Sequence, residues 1–221
     1  MNEAQGKPDA DTTPLPPSGR LADRLEAAQS APAPALVRVL RELAAVDAAV
    51  YRAVAATPTP TIDHPLRWFT SAADHSKPWI GTACVLFAIG GRRGRRAALT
   101  GVAAVACTSA LVNLPMKLVG QRRRPDADAA GVPLERRVEM PTSASFPSGH
   151  SASAAAFASS VAEVVPALGL PLSAAAAVVG YSRVHSGVHY PGDVVGGIVI
   201  GAAIGQVVAW AGRRLAARRR D

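Results

Sequence analysis

The chain alternates long uncharged stretches with tight clusters of arginine, and this limits its fold more than any other feature. "AALTGVAAVACTSALVNLPM", residues 97–116, carries no charge. A helix of about 20 such residues crosses a bilayer. "VVGGIVIGAAIGQVVAWAG", which follows Asp193, is a second run of the same kind. The outer helices of a soluble bundle need charged faces, and these two runs have none. Three weaker stretches accompany them. "PWIGTACVLFAIGG", from Pro78, is short unless it recruits Trp68 through Ala73. Another runs from near Phe146 to about Val165, and another from about Leu168 to Tyr181. Their abundant Gly and Ala suit close helix packing in lipid. The expected fold is all-α: an integral-membrane helical bundle of about five spans.

The net charge of +8 fits either a nucleic-acid binder or a membrane protein with basic loops. A nucleic-acid face spreads Lys and Arg along an exposed surface, often between aromatics. Here the basic residues fall in clusters and aromatics make up 5% of the chain, so no nucleic-acid partner is expected. The clusters also set a topology. "GGRRGRR" joins the first two stretches and "RRLAARRR" follows the last. Four crossings separate them, so both fall on one side, which the positive-inside rule makes the cytoplasm. The loops 117–147 and 182–193 then share the outer face. The five-span count also puts the N-terminal tail outside. Cys84 and Cys107 lie in apolar runs without a ligand spacing and read as packing residues.

Four regions follow. Residues 1–34, rich in Pro, Ala, Asp and Thr without apolar period, read as a disordered tail, and no signal peptide is visible. Residues 35–77 hold an amphipathic helix and a connector. Leu36, Leu40, Leu43, Val46, Val50 and Val54 recur at helical spacing, and "TPTPT" ends the run. This helix is too charged to span and should lie on a membrane surface or against the core. Residues 78–214 form the membrane core, and 215–221 a basic cytoplasmic tail.

Three segments gather on the outer face, each at the end of a span. "KLVGQRRRP" supplies Lys117 and Arg124, "PSGH" supplies Ser148, Gly149 and His150, and "SRVHSGVHYPGD" supplies Arg183, His189 and Asp193. Helix N-termini and arginines both hold phosphate oxygens. Asp193, four residues after His189, can fold back to a ring nitrogen and fix its tautomer, as a nucleophile's partner must. Each piece also has an ordinary reading. Ser148 and Asp193 can cap helices, and Lys117 and the arginines can anchor lipid head groups. His150, His185 and His189 can form a zinc site, although Gly187, Pro191 and Gly192 argue against one helix presenting both His185 and His189. The ordinary readings do not explain why all three segments converge on one side.

These segments resemble the signature of the type 2 phosphatidic-acid phosphatase family: K-x6-R-P, then P-S-G-H, then S-R-x5-H-x3-D. The match runs from Lys117 through Arg124 and Pro125, Pro147 to His150, and Ser182 and Arg183 to Asp193, with no departure. It covers about residues 117–193. The surface helix before the first span resembles bacterial members.

The resemblance implies a phosphatase that needs no cofactor and no metal. In it His189 attacks phosphorus, Asp193 orients His189, and His150 protonates the leaving alkoxide. Lys117, Arg124, Arg183, the Ser148 hydroxyl and the Gly149 N–H would hold the phosphate oxygens. His185 is left as structural, and Ser143 and Ser145 as shaping their loop. The site lies at the outer face of a multi-pass plasma-membrane protein, so its partners are membrane lipids and a lipid phosphate substrate. Phosphatidic acid, lysophosphatidic acid, phosphatidylglycerol phosphate and polyprenyl mono- or diphosphates all fit. The rivals are a soluble-substrate acid phosphatase, a vanadate haloperoxidase and a non-enzymatic lipid head-group binding protein.

Overall fold

Seven α-helices and three short 3-10 turns make up the structure, a computed structural model that describes residues 34–116 and 121–218. No strand occurs among the described residues, as the sequence predicts. The expected N-terminal tail and the last three residues lie outside them, and so does Lys117. The chain divides into two compact units, residues 1–42 and 43–221. The described part of the first, 34–42, is exposed throughout.

Helix α1 is Ala35–Ala56. Its Leu36, Leu40, Leu43, Val46 and Val50 are exposed, while Tyr51 and Ala55 are buried. From Leu43 to Val50 the predicted apolar stripe is therefore exposed, while its last member, Val54, packs against the cluster around Tyr51 and Ala55. The helix instead packs through Asp47, Tyr51 and Ala55, which share a face at a spacing of four. "TPTP" breaks it as expected. Helix α2, Pro60–Ala72, then begins with proline at its first position, where the missing N–H costs nothing. This corrects the idea that Trp68–Ala73 extends the first span. A 3-10 turn, Asp74–Ser76, separates α2 from helix α3, Lys77–Ile89.

Helix α4, Gly91–Leu111, starts directly after Gly90. The "GGRRGRR" expected as a loop is therefore the first turns of α4. It runs into a π-helical stretch, Val112–Met116, where Pro115 has no N–H for the regular ladder. Helices α5 (Gly149–Ala162), α6 (Gly169–His185) and α7 (Pro191–Arg218) complete the bundle. Among the described residues, two helices are by length and composition long and apolar enough to cross a membrane: Pro166–His185 and Pro191–Arg218. Helix α3 has 13 residues and α5 has 14. At 1.5 Å per residue each is only about 20 Å long. The apolar stretches were legible, but Gly90 and Ser148 cut them short.

Helix α5 is the buried centre, and ten of its residues, Ser151–Ala158, Ser160 and Val161, are shielded. Its tightest neighbour is α7. A Cβ on Gly197 would meet the Ser148 carbonyl at 2.5 Å, and one on Gly201 the Ala152 carbonyl at 2.0 Å. A Cβ on Gly205 would meet the Ala156 carbonyl at 2.5 Å. This glycine stripe lets the two backbones touch, which suits packing by dispersion where apolar burial gives no drive. Cys84 and Cys107 are free and exposed, so neither is the packing residue expected.

The basic clusters do share one end of the bundle. Arg92, Arg95 and Arg96 line a surface cleft with Leu215 and Ala216. Arg93 donates to the Val164 carbonyl at 2.7 Å, just past the end of α5, and Arg213 pairs with Glu163. Helix α5 runs from His150 to this basic end. The signature residues therefore collect at the opposite end.

Candidate active site

Two local structures place the catalytic candidates. Asp193 is the third residue of α7 after Tyr190, and its Oδ2 accepts the Tyr190 N–H at 2.9 Å. It thus reaches back as the acidic member of a capping box does. Its carbonyl also accepts the Ser148 N–H at 3.0 Å, tying the start of α5 to that of α7. At the end of α6 the Arg183 carbonyl accepts the N–H groups of Val188 and His189, both at 3.2 Å. The turn between them needs Gly187 at φ 80°. A Cβ there would also meet Tyr51, Ala127 and Val132 at 3.2–3.3 Å. Arg183 and His189 are therefore fixed to each other by one turn.

The two residues open onto a cavity of about 280 Å³, also lined by Asp74, Arg124, Gly149 and His150. Arg124 reaches it from the loop after α4. Its Nε donates to the Ser143 carbonyl at 2.9 Å and its Nη1 to the Val188 carbonyl at 2.8 Å. Nη1 also lies 3.1 Å from His189 Nε2. A guanidinium can only donate, so Nε2 carries the lone pair and the ring proton sits on Nδ1. On that side stand Ser145 Oγ at 3.5 Å and Asp193 Oδ2 at 3.6 Å. The second is longer than a hydrogen bond, and such catalytic contacts tighten in the reacting complex. Burial pushes the His189 ring down to about 4. Arg124 and Arg183 push the same way, against the nearby Asp193. At neutral pH the ring is uncharged.

Asp193 is fully buried and well supplied with donors. Arg122 Nη1 donates to Oδ1 at 2.9 Å, and Ser145 Oγ donates to Oδ2 at 2.5 Å. Arg122 also donates to Asp47 Oδ2 at 2.6 Å and lies over the Tyr190 ring. Asp47 in turn accepts the Gly192 N–H at 2.7 Å. Helix α1 thereby braces the start of α7.

Arg183 is 2% exposed. Its Nη1 donates to Thr70 Oγ1 at 2.8 Å, while its Nε has no partner among the described residues. An unpaired buried donor is costly, and an anion's oxygen in the cavity would satisfy it. His150 differs from His189. Its Nε2 lies 2.8 Å from Asp74 Oδ1, and a carboxylate only accepts, so this nitrogen carries a proton. One cavity thus holds one histidine with a bare Nε2 and one with a protonated Nε2.

Of the residues singled out from sequence, Arg124, Gly149, His150, Arg183 and His189 line the cavity, and Asp193 stands behind His189. Lys117 lies outside the described residues. Ser148 is buried and not part of the lining, and its hydroxyl accepts from Ser151 N at 3.5 Å as the cap of α5. His185 is turned away, 3.0 Å from Thr59 Oγ1 and 3.1 Å from Asp63 Oδ1. Among the described residues no group of three or more His, Cys, Asp or Glu is placed to hold a metal, which leaves the zinc reading without ligands. Sequence reasoning missed Asp74, Arg122 and Thr70, and gave Ser145 only a loop-shaping part.

A helical bundle with a cationic pocket around a bare imidazole nitrogen and a protonated one is built for phosphoryl transfer. The chain belongs to the PAP2 superfamily, whose model matches residues 97–216, and it is a phosphatase of that class. It is 36% identical over 156 residues to decaprenylphosphoryl-5-phosphoribose phosphatase of Mycobacterium tuberculosis, covering 70% of this chain and 83% of that one. A shorter match, 43% over 58 residues, links it to lipid A 1-phosphatase of Rhizobium johnstonii, covering 26% of this chain and 24% of that one. Its fold is similar to the crystal structure of a transmembrane PAP2-type phosphatidylglycerolphosphate phosphatase from Bacillus subtilis. The TM-score is 0.62 at 23% identity, over 78% of this chain and 87% of the other. Aquifex aeolicus LpxE is also similar, with a TM-score of 0.59 at 23% identity, over 74% and 94%.

Proposed function

We propose that the protein hydrolyses a lipid phosphate monoester whose leaving oxygen belongs to a sugar or polyol, at the extracytoplasmic face of the plasma membrane. The pairing of a bare Nε2 on His189 with a protonated Nε2 on His150 in one cationic cavity carries the reading.

The geometry supports this order of events. His189 Nε2 attacks phosphorus as the bond to the leaving oxygen breaks. Asp193 and Ser145 meet the charge that develops on Nδ1. Arg124, Arg183 and the start of α5 stabilise the equatorial oxygens, and Lys117, by its place in the motif, adds a third cation. His150, in its charged form, gives the proton of the ring nitrogen not held by Asp74 to the leaving oxygen. Water then cleaves the phosphorus–nitrogen bond, and His150 takes that water's proton. Charge is supplied by side chains, so no divalent metal is required.

The substrate follows from the cavity's two exits. One, of about 470 Å³, is apolar and runs past Trp79, Ile80, Val102, Val105 and Phe157. The other, of about 630 Å³, is more polar than the first: Arg67, Glu139, Thr142, Asp74, Arg183 and His150 line it together with Val138 and Met140. The acid borders the polar exit and not the apolar one. The group it protonates should leave that way and be hydroxylated. Glu139 and Asp74 disfavour a charged phosphate there. The M. tuberculosis relative, whose name describes a phosphorylated pentose on a polyprenyl phosphate, has this kind of leaving group.

Membrane placement rests on the two long apolar helices and on the exposed Ile80, Phe87, Leu99, Val195, Val199 and Trp210 around the bundle. The basic clusters at the other end support placing that end in the cytoplasm.

Phosphate release from a panel of lipid phosphates by detergent-purified protein, with and without chelator, tests the reading. Sugar- and glycerol-linked monoesters should lead the panel, and EDTA should change nothing. Loss of activity in EDTA with recovery on zinc would overturn the metal-independent mechanism. Binding without release would favour a head-group dock.

A further inference from the structure

Asp74 is the one carboxylate lining the phosphate cavity among the described residues, and a phosphate site should exclude it. A fixed negative charge repels an incoming phosphate dianion. Its position is nevertheless well defined. Ala73 before it and Trp79 after it are each 3% exposed, so the turn is clamped into the core at both ends. His75 and Ser76 between them hold φ of 56° and 60°, a region that non-glycine residues rarely occupy. This bend turns Asp74 onto His150, whose Nε2 lies 2.8 Å from Oδ1.

The ring that Asp74 touches is otherwise surrounded by positive or titratable groups. Arg183 comes from α6, Arg124 from the loop after α4, His189 from the turn before α7, and His75 from the same turn as Asp74. These arginines disfavour a second proton on the imidazole. The acid step needs that proton.

We propose that Asp74 is a positioning residue for the general acid, holding the Nε2–H of His150 and stabilising the charged ring that donates in the first half-reaction. The inference rests on the phosphatase reading above. In the step, the imidazolium keeps its Nε2–H on Asp74 and gives its other ring proton, from Nδ1, to the leaving oxygen as the phosphorus–oxygen bond breaks and the His189–phosphorus bond forms. The ring ends neutral, and Asp74 stays a carboxylate throughout. The water of the second half-reaction returns a proton to His150, and the imidazolium is restored beside Asp74.

The test uses the full-length enzyme in detergent with Asp74→Asn, Asp74→Glu, His150→Ala and the Asp74→Asn/His150→Ala double variant. The substrates are a glycerol-linked lipid phosphate monoester and p-nitrophenyl phosphate, whose phenolate leaves with little protonation. Asp74→Asn should lower kcat for the lipid ester about 10- to 100-fold without raising KM, a share of what a general acid is worth. It should lose far less on p-nitrophenyl phosphate, and Asp74→Glu should recover much of the loss. In the His150→Ala background the Asn substitution should add nothing further. Equal losses on both substrates, a loss that multiplies with His150→Ala, or no loss at all would overturn the proposal. If Asp74→Asn does not fold, 15N-histidine NMR of the wild-type protein decides. A protonated His150 Nε2 supports the assignment and a bare one contradicts it. Wild-type protein inactive on both substrates would instead sink the phosphatase reading.

Discussion

Arg124 donates from Nη1 to His189 Nε2 at 3.1 Å, so the cation proposed to hold phosphate also marks which ring nitrogen carries the lone pair. The same guanidinium grips the carbonyls of Ser143 and Val188, joining two loops of the cavity. A lysine would keep the charge and lose the planar fork. Arg124→Lys should therefore lower kcat about 100-fold, near the cost of one lost oxyanion donor. Steady-state hydrolysis by a variant with an unchanged melting profile checks this.

His189 should keep its lone pair to unusually low pH. Burial holds the ring near 4, so it becomes protonated only as pH falls through about 4. In His150→Ala acting on p-nitrophenyl phosphate, the limb due to the nucleophile is isolated from that of the acid. Its kcat/KM, corrected for substrate ionisation, should fall with an apparent pKa near 4. A limb near 6.5, the ordinary value for histidine, would show the ring to be unperturbed. Stability follows the same sign. Between 6.5 and 4 the unfolded ring binds the proton that the folded ring refuses, so falling pH destabilises the fold through this group.

How much of this was readable in the sequence depends on distance along the chain. His189 and Asp193 are four apart, and helix-start geometry brings them together, so spacing alone exposed the pair. The grouping of His150, Arg124 and Arg183 followed from the topology that put their three segments on one face, and then from the match to a known signature. Asp74 meets His150 from 76 residues away, out of a stretch with no periodicity or charge pattern, and nothing local announces it. Arg122 was visible only as one of three adjacent arginines, because its role comes from Asp47 on α1. The ends of the helices were less legible than the apolar runs themselves for a similar reason. Hydropathy sees an apolar run, but the turn at Gly90 and the cap at Ser148 decide how much of it becomes helix. The apolar stripe of α1 was read correctly as a pattern. Its outward direction was set by Asp47 and Tyr51, which hold the neighbouring face against the core.

Close contact between α5 and α7 should be as necessary as the chemistry. A Cβ at Gly201 would sit 2.0 Å from the Ala152 carbonyl, whereas one at Gly212 meets nothing within 4 Å. Gly201→Ala must push the helices apart and should cost about 1–3 kcal/mol, the usual range for overpacking. It should also lower activity, because Ser148 and Asp193 join the same two helices. Gly212→Ala should be silent in both. Thermal unfolding in detergent and hydrolysis rates measure the pair.

Topology offers an independent check. A reporter fused after Arg220 should read cytoplasmic, and one inserted near Ala130 should read external. Both on one side would remove the argument that the site faces outward.

The central claim is that His189 carries the phosphoryl group, and trapping that species tests it most directly. Enzyme mixed with 32P-labelled lipid phosphate should be quenched in alkaline denaturant, because a phosphoramidate is stable to base and labile to acid. The label should appear on wild-type protein, map to the segment containing His189, and wash out in acid. It should be absent from His189→Ala, and His150→Ala should still take it up from p-nitrophenyl phosphate. Label that persists in His189→Ala while vanishing from His150→Ala would reverse the two roles and contradict this account.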